Sequence, residues 1–341
     1  MKSLTRKRFF ITIVFLAVLS FLVCAWALMT GIHSLSFRDV LDAVFSNGNA
    51  NTLSRTIIVD VRFPRVALAF LVGMGLSIAG AVLQALLRNP LAEPHLIGVS
   101  SGAALGGVIA ALFLSALPFL AQFSMPASSF AGALAAITLI YLLSQRKGVL
   151  SVYTLLLVGV ILNSFFISII IFIQSIVRAD ELASIFSWLL GSLSYIKHDM
   201  LIVTASVICI TGGALFLLAP QFNLLSLGET RAESLGVNVE KTKRIAFVLT
   251  SLMVGVMVSV SGLIGFIGLV VPHIARLLFG SDHRIVIPAS ACIGGTLLVA
   301  ADTLARTIIA PQEIPVGVIT AFLGAPFFII LLKRKEMKRV F

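Results

Sequence analysis

Charge is what this chain has least of. Only 11% of its 341 residues are Asp, Glu, Lys or Arg, against about 25% in a soluble globular domain. That scarcity excludes a surface kept in water on all sides. Cysteine is also scarce: Cys24, Cys209 and Cys292 each stand alone in an apolar window. Neither a disulfide framework nor a CxxC metal pair can be built from them, and they read as packing residues. No Gly-Lys pair occurs, so there is no Walker A loop, and HExxH is absent. His33, His95, His198, His273 and His283 are scattered without ligand spacing. These absences argue against an enzyme, a bound cofactor and a bound metal.

What fills the chain instead is long uncharged runs. About 20 helical residues cross a hydrocarbon core of about 30 Å, and only helices or closed barrels satisfy their backbone there. The runs are continuously apolar without two-residue alternation, which excludes an outer-membrane barrel. The reading is an all-α polytopic membrane protein with about ten transmembrane helices, near 9–30, 66–87, 96–117, 127–143, 149–175, 199–219, 245–261, 264–280, 285–305 and 314–332. Pro118 and Pro126 are the natural breakers inside the run from Leu96 to Gln145, and Ser261-Gly262 splits the run from Ile245 to Ala275. Ala25-Trp26-Ala27 imitates a signal-peptide cleavage site, but the run from Phe9 to Thr30 exceeds an h-region of about 7–15 residues and reads as a retained first span.

The net charge of +11 is less informative than its distribution. With ten spans, 18 Lys and Arg residues fall on the side of the termini and 7 on the other, so the positive-inside rule puts both termini in the cytoplasm. The stretches 71–87 and 97–112, rich in Gly and other small residues, permit close helix packing; a translocation path lined by them is the alternative. Asp302 lies inside a span with Arg306 one turn later, the spacing of a structural pair. A proton- or sodium-driven carrier places ionisable groups along its pathway, and this chain offers no such series. An energised transporter of this build needs its power from another chain.

One segment breaks the apolar pattern. Asn223 to Arg244, "NLLSLGETRAESLGVNVEKTKR", holds seven charged residues and falls on the cytoplasmic side. Helix formers lie between Gly228 and Gly236, and Asn238 is placed to cap a second helix. Two short helices joined by a glycine turn would present a knob to a soluble partner. A solvated linker is the plain alternative.

Six blocks, in order, resemble the permease subunits of the FecCD family, the vitamin B12 and iron-siderophore type of ATP-binding-cassette importer. They are "RFPR" (62–65), "AGAVLQALLRNPLAEPHLIGVSSGA" (79–103), "LLSLGETRAESLGV" (224–237), "GFIGLVVPHIARLLFGSDHR" (265–284), "ADTLAR" (301–306) and "EIPVGVITAFLGAPFF" (313–328). The resemblance implies one transmembrane permease domain over 1–341, with a coupling segment at 222–240 between the sixth and seventh spans and a cytoplasmic tail at 333–341. The implied partners are a second permease subunit, identical or paralogous, two ATPase subunits that use ATP and Mg, an extracytoplasmic substrate-binding protein and the bilayer; nucleic acid is not among them.

Residue by residue, the resemblance assigns ATPase coupling to Leu227, Gly228, Glu229, Arg231, Ala232, Leu235 and Gly236. It assigns binding-protein docking to Arg62, Arg65 and Arg306, where guanidinium forks suit carboxylates; anchoring a helix end is the alternative for the first two. A cytoplasmic gate falls on Asn89, Leu91, Ser151 and Val152. The expected cargo is a bulky metal chelate, foremost an iron(III)-siderophore, with cobalamin, haem and molybdate as alternatives. A proton-coupled carrier acting alone and a scaffold or sensor are the rivals from other classes.

Overall fold

The computed structural model describes residues 5–31, 35–45, 52–113, 121–146, 149–193 and 197–340. Its helices are α1 (Arg6–Met29), α2 (Phe37–Phe45), α3 (Thr52–Arg55), α4 (Phe63–Leu86), α5 (Val99–Phe113), α6 (Ala121–Ser144), α7 (Val152–Ile176), α8 (Ala179–Leu189), α9 (His198–Leu217), α10 (Ala219–Leu225), α11 (Glu229–Ser234), α12 (Val239–Ser261), α13 (Ile267–Phe279), α14 (His283–Thr307) and α15 (Val316–Val340). A π-helical stretch, Thr56–Arg62, runs directly into α4. A minimal antiparallel hairpin, β1 (Gln145–Arg146) with β2 (Val149–Leu150), precedes α7.

Among the described residues, seven helices are long and apolar enough to cross a membrane: α1, the combined Thr56–Leu86 helix, Met125–Ser144 of α6, α7, α9, α12 and α14. Shorter apolar helices cover Val99–Leu112, Ile267–Phe279 and Val316–Ile330. Each predicted window coincides with one of these. Helix α4 is the centre of the bundle, buried along most of its length, with α9, α12, α13 and α14 packed on it. Helix α1 lies outside α14, to which Ser20 Oγ ties it through Thr296 Oγ1 at 2.7 Å. Phe10, Phe15 and Phe21 of α1 and Phe165 and Phe172 of α7 point outward. Rings so exposed are costly in water and at home against lipid.

Glycine lets the central helices touch. A Cβ on Gly73 would stand 2.2 Å from Gly294 O of α14, and one on Gly80 would stand 1.8 Å from Gly268 O of α13. Gly106 meets Ser128 O of α6 in the same way, at 2.1 Å. Both small-residue stretches are therefore packing surfaces, the close approach that helices in lipid depend on.

Some boundaries differ from the sequence reading, each for a local reason. Pro126 breaks nothing: it is the sixth residue of α6, which runs through it at the loss of one backbone hydrogen bond. Pro118 lies outside the described residues. The split at Ser261-Gly262 is real, with Gly262 at φ 66° closing α12 through an N–H to Val258 O. Asn238 does cap a helix, accepting from Lys241 N at 3.0 Å. That helix is α12 itself, which begins six residues before the predicted span, at Val239. Helix α4 likewise gains the turn before Arg62, and α15 continues through the predicted tail to Val340. Helices α2 and α8 have no counterpart among the uncharged windows.

Candidate functional site

The functional candidates gather at two poles of the bundle. Helix α4 joins them: from Arg65 to Arg88 the chain rises about 35 Å at about 1.5 Å per residue. Helix α14 packs beside it and carries Asp282 and His283 at one end and Asp302 and Arg306 at the other.

At the first pole, Arg65 is the centre. Its Nε stands 3.1 Å from both oxygens of Asp302 and its Nη2 donates to Oδ1 at 2.9 Å. Its Nη1 reaches Glu313 at 2.9 and 3.0 Å. Asp302 is 1% exposed, and Arg306 Nε lies 3.2 Å from its Oδ2, a contact of charge rather than of hydrogen-bond alignment. The predicted Asp302–Arg306 pair is thus real, but Arg65 holds the stronger grip. Arg62 donates to Leu28 O at 2.7 Å and Met29 O at 3.2 Å, satisfying carbonyls that the end of α1 would leave open. All three predicted docking arginines line one cavity of about 160 Å³, with Glu313, Ile57 and Val61 on its walls. Three guanidiniums against two carboxylates leave one positive charge in excess.

At the second pole, the charged segment folds as α10, a turn at Gly228, α11, a turn at Gly236 and then α12. Gly228 (φ 113°, ψ 151°) and Gly236 (φ 86°) occupy backbone regions that favour glycine. Ala232 turns inward and is fully buried, while Leu227, Arg231 and Leu235 are exposed. Glu229 reaches back to the body: its Oε2 lies 3.1 Å from Lys243 Nζ and its Oε1 4.0 Å from Arg88 Nη2.

The predicted gate residues lie close to this pole in two separate groups. Asn89 Oδ1 accepts from Leu91 N at 2.9 Å, forming a tight turn that leaves Leu91 exposed. Ser151 is the N-cap of α7, accepting from Thr154 N at 3.3 Å, and Val152 is its first helical residue. Among the described residues no hydrogen bond joins Asn89 or Leu91 to Ser151 or Val152. Instead Glu93 accepts from Phe266 N at 2.5 Å and His95 Nε2 lies 2.6 Å from Ile264 O, so that turn is fastened to the start of α13.

Sequence reasoning missed several members. Lys243 and Glu240 form an i,i+3 pair that helix spacing alone could have suggested. Glu313 could not have been matched to Arg65 across 248 positions. Near Arg88, a polar cavity of about 240 Å³ is lined by Gln84, Ser226, Arg276 and His283, with Arg276 hydrogen-bonded to Gln84 Oε1. Asn223, inside the charged segment, receives His283 N at 2.8 Å and donates to Asp282 at 2.7 Å. A larger groove of about 680 Å³, bounded by Phe21, Phe63, Phe70 and Leu201, is wholly apolar and reads as lipid-facing surface. Among the described residues no group of three or more His, Cys, Asp or Glu is arranged to hold a metal.

With this geometry in view, likeness to known proteins has a place to attach. A profile of the FecCD transport family matches residues 16–334. The chain is 41% identical over 333 residues to an uncharacterized ABC transporter permease protein, YvrB, of Bacillus subtilis, covering 94% of this chain and 93% of the relative. It is also 41% identical over 329 residues to the hemin transport system permease protein HmuU of Yersinia pestis, covering 95% and 96%. A solved structure described as an inward-facing conformation of a metal-chelate type ABC transporter superposes with a TM-score of 0.83 at 31% identity, covering 94% of this chain and 98% of that one.

Proposed function

As a member of the FecCD transport family, to which this chain belongs, a multi-pass membrane protein of this build has a defined task, and we propose that it is the permease subunit of an ATP-binding-cassette importer. Its cargo is a bulky metal chelate, foremost an iron(III)-siderophore. The ten helices cross the cytoplasmic membrane of a prokaryote with both termini inside. The observation that carries this reading is the second pole: a six-residue helix between two glycine turns, with Arg231 exposed on it and Leu227 and Leu235 exposed beside it, on a chain with no nucleotide motif of its own.

In this reading Leu227 to Gly236 docks with an ATPase subunit, and ATP and Mg act there, on the partner. A second permease subunit completes the pathway. The first pole faces outward and receives acidic side chains of a substrate-binding protein through the cavity of Arg62, Arg65 and Arg306. Planar guanidiniums fix register as well as attraction there. Asn89, Leu91, Ser151 and Val152 narrow the cytoplasmic exit.

Relatives named for import of hemin, cobalamin, iron(3+)-hydroxamate, iron(3+)-citrate and molybdate bracket the cargo. Hemin is the second reading, favoured by the 41% identity to a hemin permease. The test is reconstitution into liposomes with the ATPase subunits and the binding protein. ATP-dependent accumulation of a ferric siderophore is expected, with hemin, cobalamin and molybdate as competing arms. Accumulation driven by a pH gradient without the ATPase would overturn the reading in favour of a secondary carrier.

A further inference from the structure

Lys243 is 2% exposed, a degree of burial that lysine tolerates only when its charge is paired and its donors are filled. An ammonium has three N–H donors, and here three acceptors meet it. Leu150 O lies at 3.0 Å, Glu229 Oε2 at 3.1 Å and Glu240 Oε1 at 2.5 Å. They come from three different elements: the hairpin strand before α7, the start of α11, and the first turn of α12. Glu240 closes the cluster, since its Oε2 accepts from Leu150 N at 2.8 Å. Both backbone polar groups of Leu150 are therefore held by side chains of α12, one residue before the N-cap of α7.

The α11 side of the cluster is otherwise lightly attached. Helix α11 is six residues long, flanked by Gly228 and Gly236 at positive φ, and most of its residues are exposed. Ala232 anchors it by packing. Among the described residues the short ionic contact from α11 to the rest of the chain is Glu229 with Lys243, supplemented by Arg88 at 4.0 Å. A buried ion pair of this kind is weak grounds for stability, because apolar replacements are often at least as stable. What it does supply is a fixed geometry between groups that must move together.

We propose that Lys243 is a positioning residue that transmits displacement of α11 to the Leu150–Val152 entrance of α7, using Glu229 as its grip on the moving helix and the backbone of Leu150 as its load. The inference rests on the importer reading above, in which α11 is where the ATPase pushes. It adds the physical link from that helix to the exit, which neither the exposed knob nor the gate residues contain by themselves. Coupling between two sites requires a contiguous element that both can bias, and charge-assisted bonds in a low-dielectric setting are strong enough to act as one.

The experiment is performed in liposomes holding the permease, its ATPase subunits and the binding protein, reading substrate imported and ATP hydrolysed in the same sample. Wild-type ATP-driven uptake establishes the importer reading independently; if it is absent, that reading fails first. Lys243→Met leaves two carboxylates without their ammonium and is expected to be labile as well as uncoupled. The decisive variant is therefore the double Lys243→Met, Glu240→Gln, which removes the buried pair and leaves Glu229, about a third exposed, in place on the ATPase-facing helix. It is expected to regain thermal stability and ATPase association while importing about tenfold less substrate per ATP, the factor set by a coupling free energy of about 1.4 kcal/mol. Lys243→Arg, which keeps the charge and its donors, is expected to restore part of the ratio relative to Lys243→Met. A double variant that couples like the wild type overturns the proposal and leaves Lys243 a purely structural residue.

Discussion

Arg65 grips Asp302 in a two-pronged contact of 2.9–3.1 Å between residues 237 positions apart. It closes the bundle where α4 begins and α14 ends, and it does so with a carboxylate that is almost wholly buried. Arg306 stands on the other side of the same carboxylate, so one acid neutralises much of two bases.

Removing that acid is therefore expected to cost far more than removing its exposed neighbour. Asp302→Ala leaves Arg65 and Arg306 facing each other in a poorly solvated site and should destabilise the fold by about 3–5 kcal/mol. Glu313 is about half exposed, and Glu313→Ala should cost no more than about 1 kcal/mol. Thermal unfolding of the two variants in detergent checks the ranking, and equal losses would contradict the burial argument.

Glu313 also competes for the hand of Arg65 that faces the cavity. Its carboxylate occupies Nη1 at 2.9 and 3.0 Å, where an acidic residue of a docking partner would bind in the proposed function. Glu313→Gln removes the competing charge, weakening its hold on that donor, and raises the positive charge of the pole. Association of the binding protein should speed up by about 2–10-fold and become more salt-sensitive, because charge at an interface acts first on encounter. Arg65→Gln should do the opposite. Surface-plasmon measurement over a salt series reads both, and slower association with Glu313→Gln would mean that Glu313 serves the partner rather than excludes it.

How much of this was legible beforehand follows from the range of each interaction. The apolar windows found the membrane helices because a span is a local property of about 20 residues. Asn238 and Gly262 were legible as punctuation for the same reason: a cap or a left-handed turn depends on neighbours within one turn. Helix α12 started early because Glu240 and Lys243, which look like a polar loop by composition, satisfy each other and Leu150 inside the protein. Arg62 shows the limit of a local reading. Its motif offered partner docking or a helix-end anchor without naming a contact, and its guanidinium is folded onto the last carbonyls of α1, 33 and 34 residues earlier. Partners this far apart leave no periodic signature, so pole composition was readable while pole wiring was not.

Acid should loosen the second pole through Asp282. This residue caps α14, accepts from Arg284 N at 3.0 Å, and meets the Arg284 guanidinium at 2.7 Å. The Arg284 side-chain hydrogen bonds, opposed by partial burial and aided by Asn223, hold its carboxyl at about 2 against an ordinary 3.8. A folded value below the unfolded one contributes stability that is complete above about pH 4 and is lost as pH falls through about 2. Asp282→Asn keeps a capping oxygen but removes the titration. The stability gap between wild type and Asp282→Asn should therefore narrow between pH 4 and pH 2 in thermal unfolding, and a constant gap would exclude the Arg284 contact as its source.

The two glycines that bound α11 should respond unequally to the same substitution. Gly236 has φ 86° and nothing within 4 Å of where a Cβ would stand, so Gly236→Ala meets only the left-handed backbone penalty of about 1–2 kcal/mol. Gly228 combines φ 113° with ψ 151°, a region open essentially to glycine alone, with a cost reaching about 3 kcal/mol for other residues. Space is not the issue there either, since the nearest atom to a Cβ is Arg88 Nη1 at 3.8 Å. Relief of the strain would rotate α11 at its first residue, Glu229, and draw its carboxylate away from Lys243. Gly228→Ala should therefore lower ATP-driven uptake and expose the 226–236 segment to limited proteolysis, while Gly236→Ala should retain most uptake and wild-type resistance. Equal sensitivity of the two variants would show that backbone conformation at Gly228 does not set the position of Glu229.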